Sequence, residues 1–156
     1  MNPDFVAMLS ALSAASADFI VIGAFALAAH GNPRSTGDID LWVRPTRENA
    51  ERVMRALHAF GAPLLGLSVE DLVDEQTVFQ IGVAPVRIDI LTGIDGVAFD
   101  AAWARRVPVE LGEVCVSVLS LEDLATNKRA AGRPKDLADL AWIEARAGTP
   151  PSGSGR

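Results

Sequence analysis

Runs of apolar residues at helical spacing alternate along this chain with short runs at strand spacing. Phe5, Met8, Leu9 and Leu12 share one helix face, which predicts an amphipathic helix over residues 3–16. Phe19–Ile22 is a β-branched run ending at Gly23, a strand followed by a turn. The alanine-rich stretch Ala24–His30, closed by Gly31, predicts a short helix. Asn32-Pro33 marks a loop. Asp38–Val43 predicts a strand. Thr46 is a suitable N-cap for a helix reaching Phe60, with Val53, Leu57 and Phe60 on one face and Gly61 at its end.

Further on, Ser68 can cap a short helix containing Leu72 and Val73. Thr77–Ile81 and Val86–Leu91 predict two strands joined by the turn residues Gly82 to Pro85. Phe99–Arg106 predicts a helix, and Val107–Glu110 with Val114–Val118 a hairpin. Ser120 and Asp123 have capping-box spacing and open a helix through Ala131, which Gly132 stops. Pro134 suits the first turn of a last helix to about Ala147. This order of elements predicts an α+β (mixed α/β) fold built on one sheet. Residues 1–147 are expected to form a single domain, and the Gly-, Pro- and Ser-rich residues 148–156 a flexible tail.

Composition narrows the chemistry. With 156 residues, 49% hydrophobic and 22% charged, the chain is globular. Its net charge of −6 argues against gripping a long stretch of nucleic acid, although a local basic patch beside an acidic site is compatible with it. The single cysteine, Cys115, lies in the apolar run Val114–Val118 and is expected to be a buried thiol in a reducing compartment. No run of about 20 apolar residues suggests a membrane span, and Met1 to Phe5 carries Asp4 but no basic residue, unlike a signal peptide. The expected location is cytoplasmic. Two histidines are too few for a histidine-rich metal site, which leaves carboxylates to carry any chemistry.

The most informative stretch is Thr36-Gly37-Asp38-Ile39-Asp40-Leu41-Trp42-Val43. In a strand, residues two apart share a face, so Asp38 and Asp40 stand together about 7 Å apart, while Ile39, Leu41 and Val43 fill the other face. Two carboxylates on one face suit magnesium, which takes hard oxygen ligands plus substrate phosphates; an ordinary solvated face is the alternative. Asp89, between Ile88 and Ile90, shares its face with Arg87 and Leu91. A carboxylate in such a strand needs a partner or a metal. Were the two strands adjacent, three carboxylates would converge and call for divalent cations. The competing account is an ion pair of Asp89 with Arg87 or Arg34. Upstream, Gly23-Ala24 can bring backbone N–H groups to a phosphate, or can simply be a tight-packing turn.

Ile22-Gly23-Ala24, Ala28-Ala29-His30-Gly31 and Arg34-Ser35-Thr36-Gly37-Asp38-Ile39-Asp40-Leu41 together resemble the signature of the polymerase-β-like nucleotidyltransferase superfamily. The likeness is greatest to the small bacterial proteins that include the AbiEii-type toxins. It spans roughly Phe19 to Glu144 and includes Asn127-Lys128-Arg129-Ala130-Ala131-Gly132-Arg133-Pro134-Lys135-Asp136-Leu137. The resemblance implies a central mixed sheet flanked by helices, with a C-terminal helical pair. It implies transfer of a nucleoside monophosphate from a nucleoside triphosphate such as ATP to an acceptor hydroxyl or phosphate. Asp38, Asp40 and Asp89 would be the catalytic residues and the ligands of Mg2+ or Mn2+, with Asp89 also accepting the acceptor's proton. Gly23 and Ala24 would approach the nucleotide, although many members have Gly-Ser there. Arg34 and then Lys128 would face the triphosphate, and Thr36 would bond near the metal loop. The plainer roles are carboxylate pairing for Arg34, a strand start for Thr36, and a solvated helical surface for Lys128, Arg129, Arg133 and Lys135. His30 is expected to satisfy a helix end, and Trp42 and Trp142 to lie in the core or an interface. The acceptor would be RNA or protein, and the protein the toxin of a toxin–antitoxin pair, with an antitoxin and a homodimer as partners and no membrane. A noncatalytic nucleotide-binding module and an antibiotic nucleotidyltransferase are the alternatives.

Overall fold

The computed structural model describes residues 1–33, 37–83 and 85–147. Arg34, Ser35, Thr36 and the 148–156 tail lie outside the described residues, and with them the expectations placed on Arg34, Thr36 and the tail. The elements run α1 (Pro3–Ala14), β1 (Phe19–Ile22), α2 (Gly23–Ala29), β2 (Asp38–Val43), α3 (Arg47–Phe60), α4 (Val69–Val73), β3 (Val78–Val83), β4 (Val86–Leu91), α5 (Phe99–Ala104), β5 (Val107–Leu111), β6 (Val114–Val118), α6 (Leu121–Ala131) and α7 (Pro134–Ala147). The strands form a mixed sheet in the order β3-β4-β2-β1-β6-β5. β1 pairs antiparallel with β2 and parallel with β6, and β2 pairs parallel with β4. The α+β class and the central mixed sheet are as expected.

Local chemistry explains the boundaries. Thr46 accepts the Asn49 N–H at the start of α3, and Gly61 ends that helix in the left-handed region at φ 89°. Ser68 and Asp71 form a reciprocal capping box at α4. At α6 only half of the expected box forms. The Ser120 hydroxyl accepts the Asp123 N–H, but the Asp123 carboxylate is taken by Arg105, 2.7 Å away. Arg105 has left α5, which stops at Ala104 rather than Arg106. β3 runs past Gly82 to Val83, which pairs with Val86, so Gly82 and Val83 belong to the strand and not to the expected turn.

One sheet face carries Val21, Ile39, Leu41, Val43, Ile88 and Ile90, all buried. With Phe5, Met8, Leu9 and Leu12 of α1 and Ala50, Val53, Ala56 and Leu57 of α3 they belong to one continuous core. On the opposite face Trp42, 1% exposed, meets Phe99 of α5 edge-to-face with ring centroids 5.1 Å apart. Trp142 is half-buried against the core. His30 closes α2 and its Nε2 lies 2.8 Å from the Leu119 carbonyl, tying that helix to the segment before α6. Cys115 corrects the sequence expectation: it is exposed. In β6 it is Val116 and Val118 that point inward, so alternation puts position 115 on the outer face. Among the described residues no helix is long and apolar enough to cross a membrane.

Candidate active site

The β2–β4 register sets the central arrangement. Asp40 stands directly across from Asp89, and Asp38 across from Arg87. Cross-strand partners share a face, so the three aspartates and Arg87 gather on the face opposite the Ile39–Leu41 core. Ile22 of β1 and Gln80 of β3 extend the Asp40–Asp89 row to either side. The expectation that Asp38, Asp40 and Asp89 converge is therefore met in position. So is the plainer account of Asp89. Arg87 Nε donates to Asp89 at 3.1 Å, and its Nη2 donates to Asp38 at 3.2 Å.

Asp40 is the most perturbed carboxylate of the row. Its pKa is raised from 3.8 to about 6, first by burial, then by the Asp89 charge, a hydrogen bond with the Asp89 carboxyl, and the Asp38 charge; Arg87 acts in the opposite direction. Burial and two neighbouring carboxylates together disfavour the Asp40 anion, a perturbation of the kind that clusters at functional sites.

Two glycines let the backbone close around this row. Gly23 begins α2 at φ +68°, and a Cβ there would lie 2.5 Å from Asp40 Oδ2. Only glycine allows both that conformation and that approach. A Cβ on Gly37 would fall on the Pro85 carbonyl, and the Gly37 carbonyl accepts the Arg87 N–H at 2.9 Å. This contact pins the start of β2 to the start of β4 and holds the register that faces the carboxylates.

Beside Asp40 opens a cavity of about 250 Å³. Gly23 and Asp40 line its sheet side, Gly93 to Asp95 the loop after β4, and Asn127, Lys128 and Arg133 its helical side. Ala24 is not part of the lining. Lys128 is brought to the cavity, but it is no solvated surface residue. Its side chain is 12% exposed, and its Nζ lies 3.1 Å from Asp139 and 3.4 Å from Asp136. Arg133 Nε donates to Asp136 at 2.6 Å. Asp136 and Asp139 are both buried, and neither is among the site residues expected from the sequence. Their spacing of three, which puts both on one face of α7, is the signal the sequence offers.

The donor set suits a hard divalent ion: three carboxylates on one face, of which Asp89 is buried and the partly buried Asp40 is disfavoured as an anion. In the present arrangement, however, no three carboxylate, histidine or cysteine side chains among the described residues are gathered closely enough to hold a metal. Arg87 stands between two of them.

This combination of mixed sheet, paired carboxylates and adjoining cavity occurs on a nucleotidyltransferase fold. The crystal structure of a Thermotoga maritima protein, itself provisionally assigned as a nucleotidyltransferase, superposes with a TM-score of 0.55 at 17% identity, covering 94% of each chain. At that identity the likeness shows the fold. A family profile described as nucleotidyl transferase AbiEii toxin of type IV toxin–antitoxin systems matches residues 7–152, and the chain belongs to that family. No curated protein matches it in sequence.

Proposed function

We propose that this member of the AbiEii family is a divalent-metal-dependent nucleotidyltransferase acting as the toxin of a toxin–antitoxin pair, with a nucleoside triphosphate as donor and RNA or protein as acceptor. The observation that carries the reading is the Asp40–Asp89 cross-strand pair beside a cavity that Lys128 and Arg133 also line. Asp38, Asp40 and Asp89 hold Mg2+ or Mn2+, which when bound neutralises charge and polarises a phosphoryl oxygen. Gly23 lets the chain come close to the nucleotide, and Lys128 adds a positive charge on the far wall. An acceptor oxygen forms a bond to the α-phosphorus, the bond to pyrophosphate breaks, and Asp89 takes the acceptor's proton. Such catalysis is mostly positioning and charge stabilisation.

The test is incubation with labelled nucleoside triphosphates, Mg2+ or Mn2+, and cellular RNA or protein. Label transfer or pyrophosphate release is expected, with a loss of at least about a thousandfold in Asp38→Ala or Asp40→Ala, the size of a removed electrostatic centre. Turnover unchanged in either variant removes the assignment. A second reading, a noncatalytic nucleotide-binding module, draws support from Arg87 lying between the carboxylates. It predicts nucleotide binding without turnover.

A further inference from the structure

Among the described residues, Arg87 is a cation that the structure already supplies to the carboxylate row. It reaches Asp38 on β2 and Asp89 on its own strand with two separate N–H groups, at 3.2 and 3.1 Å. The fork thus draws together ligands from two strands, which is the task a bound divalent ion would perform. A guanidinium keeps its charge at any physiological pH, so it leaves such a position by displacement, not by deprotonation.

We infer that Arg87 is an internal counter-cation of this site, which competes with the divalent ion for Asp38 and Asp89 and thereby sets the site's metal affinity. This rests on the metal-dependent reading above. Three observations support it. Both bonds go to carboxylates that the ion would use. Arg87 is 30% exposed along its side chain, so solvent reaches one side of it. Its cross-strand neighbour on β3 is Gly82, which offers no side chain on that face to block an outward swing. Metal uptake then exchanges one positive charge for two. Arg87 acts through the aspartates, and so is a positioning residue.

The test is Mn2+ titration of the intact protein at pH 8, reading free Mn2+ by electron paramagnetic resonance in the parent, Arg87→Gln, Arg87→Lys and Asp40→Asn. Arg87→Gln is expected to bind Mn2+ at least about tenfold more tightly, because a charge-assisted competitor is gone. Arg87→Lys keeps the charge but loses the fork, and about threefold tighter binding is expected of it. Lysine also safeguards the test should the glutamine variant fold poorly. A residue serving only to hold the strands together would weaken the ion on removal, so affinity equal to or below the parent in these variants overturns the inference. Asp40→Asn separates the two claims. If it loses Mn2+ while the Arg87 variants show no gain, the metal reading stands and this inference falls. If it binds as the parent does, the metal reading fails and this inference with it.

Discussion

Asp40 and Lys128 line the same cavity, yet each belongs to an ionic cluster of a different kind. On the sheet side, Asp38, Asp40 and Asp89 share a face with Arg87, which bonds Asp38 and Asp89, and the Asp40 carboxyl is pushed up to about 6. On the helical side, Lys128 and Arg133 meet Asp136 and Asp139, and Asp136 is held below the usual carboxylate range by the Arg133 hydrogen bonds and then the Lys128 charge. The carboxylates of the helical cluster are nearly closed to solvent and are met by Lys128 and Arg133. On the sheet side it is Asp40, its carboxyl disfavoured as an anion, that stands at the cavity wall. A group that raises the energy of the folded protein persists where something outside the chain relieves it. On the function proposed above, the ligand-dependent half of the site lies on the strands and the structural half on the helices.

Stability should split the two. Asp136→Ala removes one of the two carboxylates that meet Lys128 among the described residues, and the acceptor of the Arg133 side chain and of the backbone N–H before α7. Breaking a buried ion pair costs about 3 kcal/mol. For a chain of this size that corresponds to a melting temperature lower by roughly 10 °C. Asp40→Asn removes a repelling charge and gives Asp89 an amide donor. At pH 8 and without metal it should melt at or above the parent temperature. Differential scanning calorimetry of the two variants checks both. A drop in Asp40→Asn as large as that in Asp136→Ala would erase the distinction.

The pH dependence sharpens the same contrast at smaller amplitude. Because Asp40 in the folded protein titrates at about 6 and not at 3.8, the folded state holds a proton that the unfolded chain has lost between those values. Stability from this group is thus full below 3.8 and declines as pH rises through about 6. Asp136, with its pKa lowered, has the reverse sign: its stabilisation is present above 3.8 and is lost only as pH falls below that. Melting curves from pH 4 to 7 in metal-free buffer should fall with pH in the parent relative to Asp40→Asn. Parallel curves would show that Asp40 does not carry the strain assigned to it.

Much of this arrangement was legible because it is local. Strand alternation put Asp38 with Asp40 and Arg87 with Asp89, and caps such as Thr46 and Ser68 fixed helix starts within a residue. The pairing of β2 with β4 is not local. The sequence could state only what would follow if the two strands were neighbours. For Lys128 the structure removes the plainer alternative of a solvated surface, which sequence could not do because its partners, Asp136 and Asp139, lie on the next helix and burial depends on how α6 packs on α7. Cys115 was misread because an apolar run suggests burial, whereas which residues of β6 face inward depends on the strands beside it. Asp123 fits a capping box by spacing, but Arg105 claims its carboxylate from a separate element. In each case a long-range partner overrode a local rule.

The smallest expected effect marks the lower bound of the comparison. Arg129 and Glu144 also pair across α6 and α7, 3.4 Å apart, but their side chains are 58% and 57% exposed. Geometry alone would rank this pair with the Lys128–Asp136 contact, which has the same length. Solvent screening and the entropy of two long side chains should reduce Glu144→Gln to less than about 0.5 kcal/mol. Urea denaturation of Glu144→Gln beside Asp136→Ala reads both on one scale. If the exposed pair cost as much as the buried one, position on the α6–α7 interface, and not burial, would govern the helical cluster, and its structural role would need another cause.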